Sequence, residues 1–453
     1  MGIFKACDIR GTYGEDLTDE IAFEVGRAVG TLVKGRVVAV GGDGRRSTSA
    51  LKDALSRGLV ATSAGVIDLG LVTTPAFNYA LREVVPGPGV MVTASHNPAR
   101  YNGFKVVLGA GPTSPEEIEA VKAAVESGRF ASGHGEVRRE EVLPRYADWL
   151  VATALPVPRF PVVIDAGGGV AGLVAPEVLE RLGARVDRLW CEPDPDLSRR
   201  DPNPAHPGAL ADLEQRVRDT GAVLGLGFDG DGDRVIFVDD SGHMVPGDIA
   251  GTVLIQLVVP RERGASIVYD LKCSSVLAEI AATLGFVPHR ERSGYAFLRQ
   301  RMVAERAVFG CEMSGHLFSG ELGGCDDPLY AALALAGVLA GPRVPRLSQV
   351  IAELPRRVAT PDLRVPREPD RVKADLAALW EAHRDRNPSA LDGIRVDFAH
   401  GWALARSSVT EPLITLRFEA DTEAHLAEAI DRFLAPTPEL AQAVAALLAS
   451  GSG

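Results

Sequence analysis

Cysteine is scarce in this chain: five residues in 453, Cys7, Cys191, Cys273, Cys311 and Cys325, with no framework or ligand spacing. That excludes a disulfide scaffold and a thiolate metal site. A chain this long buries its cores without staples, and a reducing, cytoplasmic setting is expected. Long hydrophobic runs are absent too. Among the longest, residues 329–340 fall short of the roughly 20 needed to span a bilayer. The opening MGIFKACDIRG has no basic stretch followed by an apolar core, so no secretory signal is expected. Positive charge is in deficit, with 48 Lys and Arg against 60 Asp and Glu and a formal charge of −12. Nucleic-acid binding wants a basic face and is not expected, whereas a small phosphorylated ligand needs only a local basic pocket. Three motifs are missing as well. No G-x-x-x-x-G-K-[ST] offers an ATP loop, Gly167-Gly168-Gly169 does not complete G-x-G-x-x-G, and no G-x-S-x-G elbow supports a serine hydrolase.

What remains is ordinary globular composition, 46% hydrophobic and 24% charged. A soft prior of about 150 residues per domain suggests roughly three domains. The apolar periodicity is more specific. RVVAVGGDGRRSTSALKDALSRGL reads as a buried strand, a Gly-rich turn and an amphipathic helix. The order returns at FPVVIDAGGGVAGLVAPEVLERLGA and at ASIVYDLKCSSVLAEIAATLGF, and each helix is followed by another strand. Three βαβ-like units imply an α/β fold of three similar domains, each a sheet covered by helices.

Each unit then runs an apolar strand into a polar turn: VMVTASHNP, VLGLGFDGDGDR and AVFGCEMSGH. Ligands of open α/β sheets gather at the carboxyl ends of strands, so three equivalent loops can meet around one cleft. Beyond them the composition changes. Pro361, Pro366 and Pro369 mark residues 360–370 as a linker or domain edge. A helix over 371–383, a strand near 393–398, the pair GWALAR and PLITLRFEA, and a helix over 423–434 suggest a smaller α+β C-terminal domain. The ASGSG tail is expected to fray. The expected boundaries are 1–150, 151–255, 256–365 and 366–453.

Asp229, Asp231 and Asp233 alternate with glycines directly after an apolar strand. Glycine lets the backbone curl so that three carboxylates converge on one hard cation. An EF-hand also uses D-x-D-x-D, but Arg234 stands where its glycine is required and Asp240 where its bidentate Glu belongs. Mg²⁺ suits such a site better than Ca²⁺ once phosphate completes the shell. Ser95, in TASHNP, sits at a strand end where it can carry a phosphoryl group, with His96 and Lys105 as nearby cations. Read blandly, SHNP is an Asn-Pro turn. Glu312 and Ser314 in EMSGH can bond neighbouring sugar hydroxyls, and His316 is a proton donor or a turn histidine. Asp326-Asp327 before Pro328 reads equally as a helix cap. Arg406, Ser408 and Thr410 make a phosphate cradle or a polar hairpin turn. Arg10 in DIRG carries little weight unaided.

In order along the chain, FKACDIRGTYG, GGDGR, TASHNPARYNGFK, DAGGGVAG, FDGDGDR, DLKCS, CEMSGH and RSSVTEP resemble the α-D-phosphohexomutases, most closely the bacterial phosphomannomutase/phosphoglucomutase branch. The resemblance implies four domains around a central cleft and an enzyme that interconverts hexose 1-phosphates and 6-phosphates, of mannose or glucose. It implies a phosphoserine at Ser95, one Mg²⁺ held by that group with Asp229, Asp231 and Asp233, and hexose 1,6-bisphosphate as intermediate and activator. Arg10, His96, Lys105, Arg234 and His316 would surround the reacting phosphoryl group. Lys272, Glu312, Ser314, Arg406, Ser408 and Thr410 would bind the substrate. A small phosphosugar is the expected partner, with neither nucleic acid nor membrane, and the chain is expected to be a monomer or homodimer.

The departures concern substrate preference more than phosphoryl chemistry. Val409 stands where the pattern often has Asn, Tyr295 where His is common, and Ser275 where Arg follows the Lys-Cys pair. Cys7 replaces a frequent aromatic and Gly42 a usual Arg. A phosphoglucosamine mutase, a metal-dependent phosphatase and a non-catalytic sugar-phosphate-binding relative are the alternatives.

Overall fold

Short strands, the central ones fully apolar or nearly so, build three sheets of one plan. The computed structural model describes residues 2–109, 111, 113–157, 159–408 and 412–450. The first sheet contains β1 (Ile9–Thr12), β2 (Val38–Gly42), β3 (Val66–Leu71), β4 (Gly89–Val92), β5 (Tyr101–Val107) and β6 (Val137–Arg139), in the order β1-β5-β4-β2-β3-β6. The second contains β7 (Pro161–Asp165), β8 (Arg185–Leu189), β9 (Leu224–Phe228), β10 (Val235–Val238) and β11 (Met244–Val245), ordered β11-β10-β9-β7-β8. In the third, β12 (Ser266–Asp270), β13 (Val287–Glu291), β14 (Phe309–Cys311) and β15 (Leu317–Ser319) run β13-β12-β14-β15.

The shared plan is a parallel trio followed by one antiparallel return. β2 pairs in parallel with β3 and β4, and β4 turns into antiparallel β5. β7, β8, β9 and β10 repeat this pattern, as do β12, β13, β14 and β15. The turns β4–β5, β9–β10 and β14–β15 therefore occupy equivalent positions, and they carry TASHNP, DGDGD and EMSGH. Each is a strand carboxyl end, where the sheet leaves backbone groups and side chains open to a cleft.

The fourth sheet is different. It comprises β16 (Val358–Ala359), β17 (Leu363–Pro366), β18 (Ile394–Phe398), β19 (Gly401–Ser407) and β20 (Leu413–Ala420), ordered β16-β20-β19-β18, with β17 also on β20 and all pairs antiparallel. Helices Pro369–Ala382, Glu423–Leu434 and Pro438–Ser450 complete this unit. The proline-rich stretch is thus not a plain linker. Leu363 and Val365 are buried and alternate with exposed Arg364 and Pro366, which makes it a half-buried strand with proline at its end. The final helix also takes in Ala449 and Ser450 of the segment expected to fray, and the last three residues lie outside the described ones.

One apolar cluster runs without interruption through the first three units, from Ala39 and Phe77 through Ile164 and Phe228 to Tyr269, Leu335 and Leu354. The fourth unit has its own core around Leu379, Phe418 and Phe433. Among the described residues, the small buried cluster of Leu271, Trp402 and Leu404 joins the third unit to the fourth. Among the described residues, no helix is long and apolar enough to cross a membrane.

Candidate active site

Ser95 closes the turn after β4 with a φ of +50°, a left-handed conformation that a non-glycine residue adopts at a cost. The strain is held from both sides. Its amide donates to Thr93 Oγ1 at 2.8 Å, and the buried guanidinium of Arg45 donates to the carbonyls of Ser95 and Asn97 at 2.6 Å each. Arg45 also reaches Pro98 O at 2.8 Å and is paired with Asp43 at 3.0 Å, whose carboxylate further accepts from Thr48 and Thr93. The brace fixes the serine hydroxyl inward. Ser95 Oγ lies 2.6 Å from Asp229 Oδ2, 3.2 Å from His96 Nδ1 and 3.5 Å from Asp233 Oδ1.

Asp229, Asp231 and Asp233 are all buried, and each offers an oxygen within 4.8 Å of the others. β10 follows directly, so the EF-hand topology is excluded. Asp240, the would-be twelfth ligand, instead accepts from the Ser348 amide at the start of a helix. Gly230 is needed for approach rather than flexibility, because a Cβ there would meet the Ser95 carbonyl at 2.6 Å. Burial, then the neighbouring Asp233 and Asp231 charges, drives the Asp229 carboxyl well above its usual range. Asp231 Oδ1 is buried with no hydrogen-bond partner. Three convergent carboxylates, one carrying a raised pKa and one an orphaned oxygen, fit a hard divalent cation.

Cations surround the triad. Lys105 on β5 donates to Asp231 Oδ2 at 2.8 Å and to Asp233 Oδ2. Burial opposes its charge, but those two carboxylates outweigh it and hold the ammonium well above its usual range. Arg10 on β1 donates to Asn97 Oδ1 at 2.8 Å and pairs with Asp8 at 2.5 Å. Arg234 donates its amide to Asp229 Oδ1 at 3.2 Å. Burial, with the Arg234 and Arg10 charges, pushes the His96 imidazole well below its usual range.

The third loop meets the same cluster. His316 is bonded through Nδ1 to Glu312, and its Nε2 stands 3.3 Å from Asp233 Oδ1. Burial disfavours its charge, yet Asp233 and Glu312 lift it to about 10, so the imidazole is a cation. Glu312 is correspondingly held down to about 2, against burial, by His316. Glu312 Oε1 also accepts the Gly294 amide at 2.7 Å, and Ser314 Oγ lies 3.4 Å from Oε2. Val235 N donates to Gly315 O at 3.1 Å, which ties the second and third loops together.

Lys272, Arg406 and Ser408 are not part of this cluster. Lys272 pairs with Asp362 at 2.9 Å, Arg406 with Asp392 at 3.1 Å, and the two cations are close enough to repel each other. The Ser408 amide donates to Leu413 O at 3.0 Å, whereas Val409 and Thr410 fall outside the described residues. This second basic patch joins the third and fourth units.

Four residues escaped the sequence reading. Arg45 and Asp43 lie in GGDGR, a segment whose brace role no spacing reveals. Thr74 donates its hydroxyl to Asp231 Oδ2 at 2.7 Å and its amide to Asp231 O at 2.9 Å, and TTP reads simply as a helix start. Of the Asp326-Asp327 pair, only Asp327 caps the following helix, accepting from Tyr330 N at 2.9 Å. Asp326 turns the other way and groups with Asp233 and His316. Among the departures, the Tyr295 ring covers Lys105 at 5.4 Å while its hydroxyl donates to Cys7 O at 2.9 Å. Ser275 donates to Glu419 Oε1 at 2.9 Å across the third and fourth units.

Three like α/β units that bring a serine loop, a carboxylate loop and a Glu–His loop together, with an α+β fourth unit beyond, define the class of phosphate-handling four-domain α/β enzymes. The chain belongs to the phosphoglucomutase/phosphomannomutase family. Models of the family's alpha/beta/alpha domains I, II and III match residues 1–132, 144–242 and 246–358, and that of its C-terminal domain matches 357–435. Over 434 residues, 94% of this chain and 93% of the other, it is 39% identical to a phosphomannomutase/phosphoglucomutase of Pseudomonas aeruginosa. A phosphoglucomutase of Neisseria gonorrhoeae is 36% identical, covering 96% of both chains. The crystal structure of a phosphoglucomutase/phosphomannomutase family protein from Burkholderia thailandensis superposes with a TM-score of 0.88 at 33% identity, over 97% of this chain and 98% of that one.

Proposed function

We propose that this chain is a phosphohexomutase that interconverts the 1- and 6-phosphates of mannose or glucose through phospho-Ser95 and a hexose 1,6-bisphosphate. The observation that carries the reading is the buried Ser95 hydroxyl, 2.6 Å from Asp229 and ringed by the other two aspartates and by cations. The named relatives support the hexose-phosphate class.

Phosphoryl transfer asks a protein for alignment and charge neutralisation more than for covalent help. In the first half-reaction a free sugar hydroxyl attacks the phosphorus of phospho-Ser95. A new P–O bond to the sugar forms, the bond to Ser95 Oγ breaks, and the attacking hydroxyl gives up its proton as Oγ regains one. His96 Nδ1, 3.2 Å from Oγ, is within reach of that exchange. Arg10, Lys105, Arg234 and protonated His316 offset the charge of the transferring group. Asp229, Asp231 and Asp233 would hold Mg²⁺, which when bound supplies further charge neutralisation to the phosphate oxygens. Glu312 and Ser314 accept and donate to two sugar hydroxyls.

The bisphosphate must then turn end over end, so that Ser95 takes back the other phosphate. Lys272, Arg406, Ser408 and Thr410 grip whichever phosphate is not reacting, which requires a cradle that reads phosphate rather than sugar detail. The separate core of the fourth unit supports movement of that cradle during the turn. Incubating the enzyme with Mg²⁺, trace hexose bisphosphate and mannose, glucose or glucosamine 1-phosphate tests the proposal by ³¹P NMR. A 6-phosphate resonance is expected, with the fastest substrate naming the sugar, and growth of free phosphate alone would replace the mutase by a phosphatase.

A further inference from the structure

Arg292 directly follows β13, at the carboxyl end of a strand of the third sheet, as the Glu312 loop does after β14. Its neighbours are all committed. Ser293 Oγ donates to Asp270 Oδ1 at 2.7 Å, the Gly294 amide to Glu312 Oε1 at 2.7 Å, and the Tyr295 hydroxyl to Cys7 O of the first unit at 2.9 Å. Two residues before it, Arg290 pairs with Asp397 of the fourth unit at 3.1 Å. The segment thus ties the first, third and fourth units together, yet Arg292 itself is exposed. Among the described residues, its guanidinium has no hydrogen-bond partner and no carboxylate within ion-pair distance. What holds it is the Phe297 ring, whose centroid lies 3.4 Å from the guanidinium carbon. A stacked guanidinium keeps its edge N–H donors free for an acceptor. Its charge acts on both sides of the cleft. Burial raises the Cys7 thiol to about 12, the Asp8 and Glu312 charges add to the rise, and Arg292 opposes it. Burial also raises the carboxyl of Asp392, the partner of Arg406, against the pull of Arg406 and then of Arg292.

We propose that Arg292 is a further phosphate-binding residue, which holds the hexose bisphosphate while it turns between the serine cluster and the Lys272–Arg406 patch. The inference rests on the mutase reading above. During the turn each phosphate must leave one set of cations before it meets the other, and an intermediate held by neither escapes to solvent. The other cations are engaged. Arg10 is bonded to Asp8 and Asn97, Lys105 to two aspartates, Lys272 to Asp362 and Arg406 to Asp392. Arg292 has no carboxylate to displace, and its planar fork matches phosphate oxygens in more than one orientation. Mounted on a segment fixed to the first and fourth units, it offers a passing dianion a contact that needs no rearrangement of either wall.

Single-turnover reactions of the phosphorylated enzyme with Mg²⁺ and labelled mannose or glucose 1-phosphate, whichever the parent turns over faster, measure how much bisphosphate escapes. Arg292→Ala is expected to release about tenfold more labelled bisphosphate per turnover, the loss of one charge-assisted contact. It should likewise need about tenfold more added hexose 1,6-bisphosphate for half-maximal activity. The first transfer from phospho-Ser95, followed by rapid quench, should slow far less, a split that a general loss of fold does not produce. Arg292→Lys keeps the charge without the fork and should recover part of both effects. Unchanged escape and an unchanged bisphosphate requirement in Arg292→Ala would overturn the proposal, as would a first transfer slowed by the same factor. A parent that forms no hexose 6-phosphate would instead overturn the mutase reading, and this proposal with it.

Discussion

Arg45 is buried against the serine loop and donates to the Ser95 carbonyl at 2.6 Å, so the serine at the centre of the cluster is held through its backbone by a guanidinium 50 positions away. Arg45→Ala removes four carbonyl contacts and leaves the Asp43 carboxylate buried without its cation. Breaking such a pair costs about 3–5 kcal/mol. Denaturant unfolding should show that loss, and kcat should fall with it as the serine turn relaxes. Unaltered stability and kcat would mean that the brace is dispensable.

Ser95→Ala removes the proposed phosphoryl carrier while leaving the triad in place. Turnover is expected to fall by about 10³-fold or more. Mass spectrometry of the parent should find the phosphoryl group on Ser95 after incubation with hexose bisphosphate, and near-normal turnover in Ser95→Ala would remove the phosphoserine from the mechanism.

Thr74→Val keeps the amide bond to Asp231 O but deletes the hydroxyl bond to its carboxylate. Groups that orient a metal ligand typically contribute 10- to 100-fold in affinity, so the Mg²⁺ concentration for half-maximal activity should rise by about that factor. Mn²⁺ binding followed by electron paramagnetic resonance separates this from a loss of fold. Thr74→Ser should restore most of the effect.

Burial raises the Asp327 carboxyl from 3.8 to about 7, although it accepts from Tyr330 N and Tyr146 OH. The fold therefore favours the neutral acid. Its contribution is fully present below the unfolded pKa near 3.8 and is lost as pH rises through about 7. In Asp327→Asn, which keeps the cap oxygen, this component of the stability change between those two values should vanish. Denaturant midpoints of both proteins across that range give the comparison.

Lys272 and Arg406 are each held by a carboxylate, Asp362 and Asp392. A substrate phosphate binding there must displace or share those partners. Asp362→Asn is expected to lower KM a few-fold with little change in kcat, because it frees Lys272 without touching the serine cluster. A higher KM would show that Asp362 orients the lysine for phosphate rather than competing with it.

That three loops meet could be read from the chain because each is a contiguous run at the end of an apolar strand. DGDGD needs Gly230 for its approach to Ser95 and Gly232 for a φ of +72°, and TASHNP and EMSGH recur at the same place in the βαβ plan. Arg45, Thr74 and Asp326 could not, since each meets the cluster through a residue 50 or more positions away, Ser95, Asp231 and Asp233 in turn, and an arginine, a threonine or an aspartate in a turn is common. Asp327 hid Asp326, because a cap accounts for the pair without remainder. The stretch around Pro366 is partly legible: it lies at the edge of the fourth unit, one of the two readings of its proline density, but the alternation of Leu363 and Val365 that makes it a strand spans only four residues.

The unbroken apolar core through the first three units, set beside the small patch of Leu271, Trp402 and Leu404 that reaches the fourth, divides the molecule into a three-unit body and a separately cored fourth unit. Ser95, the three aspartates and the Glu312–His316 loop all sit on the three-unit body. On the proposed function, substitutions within the fourth unit would alter how the distal phosphate is held while leaving the serine and aspartate cluster in place.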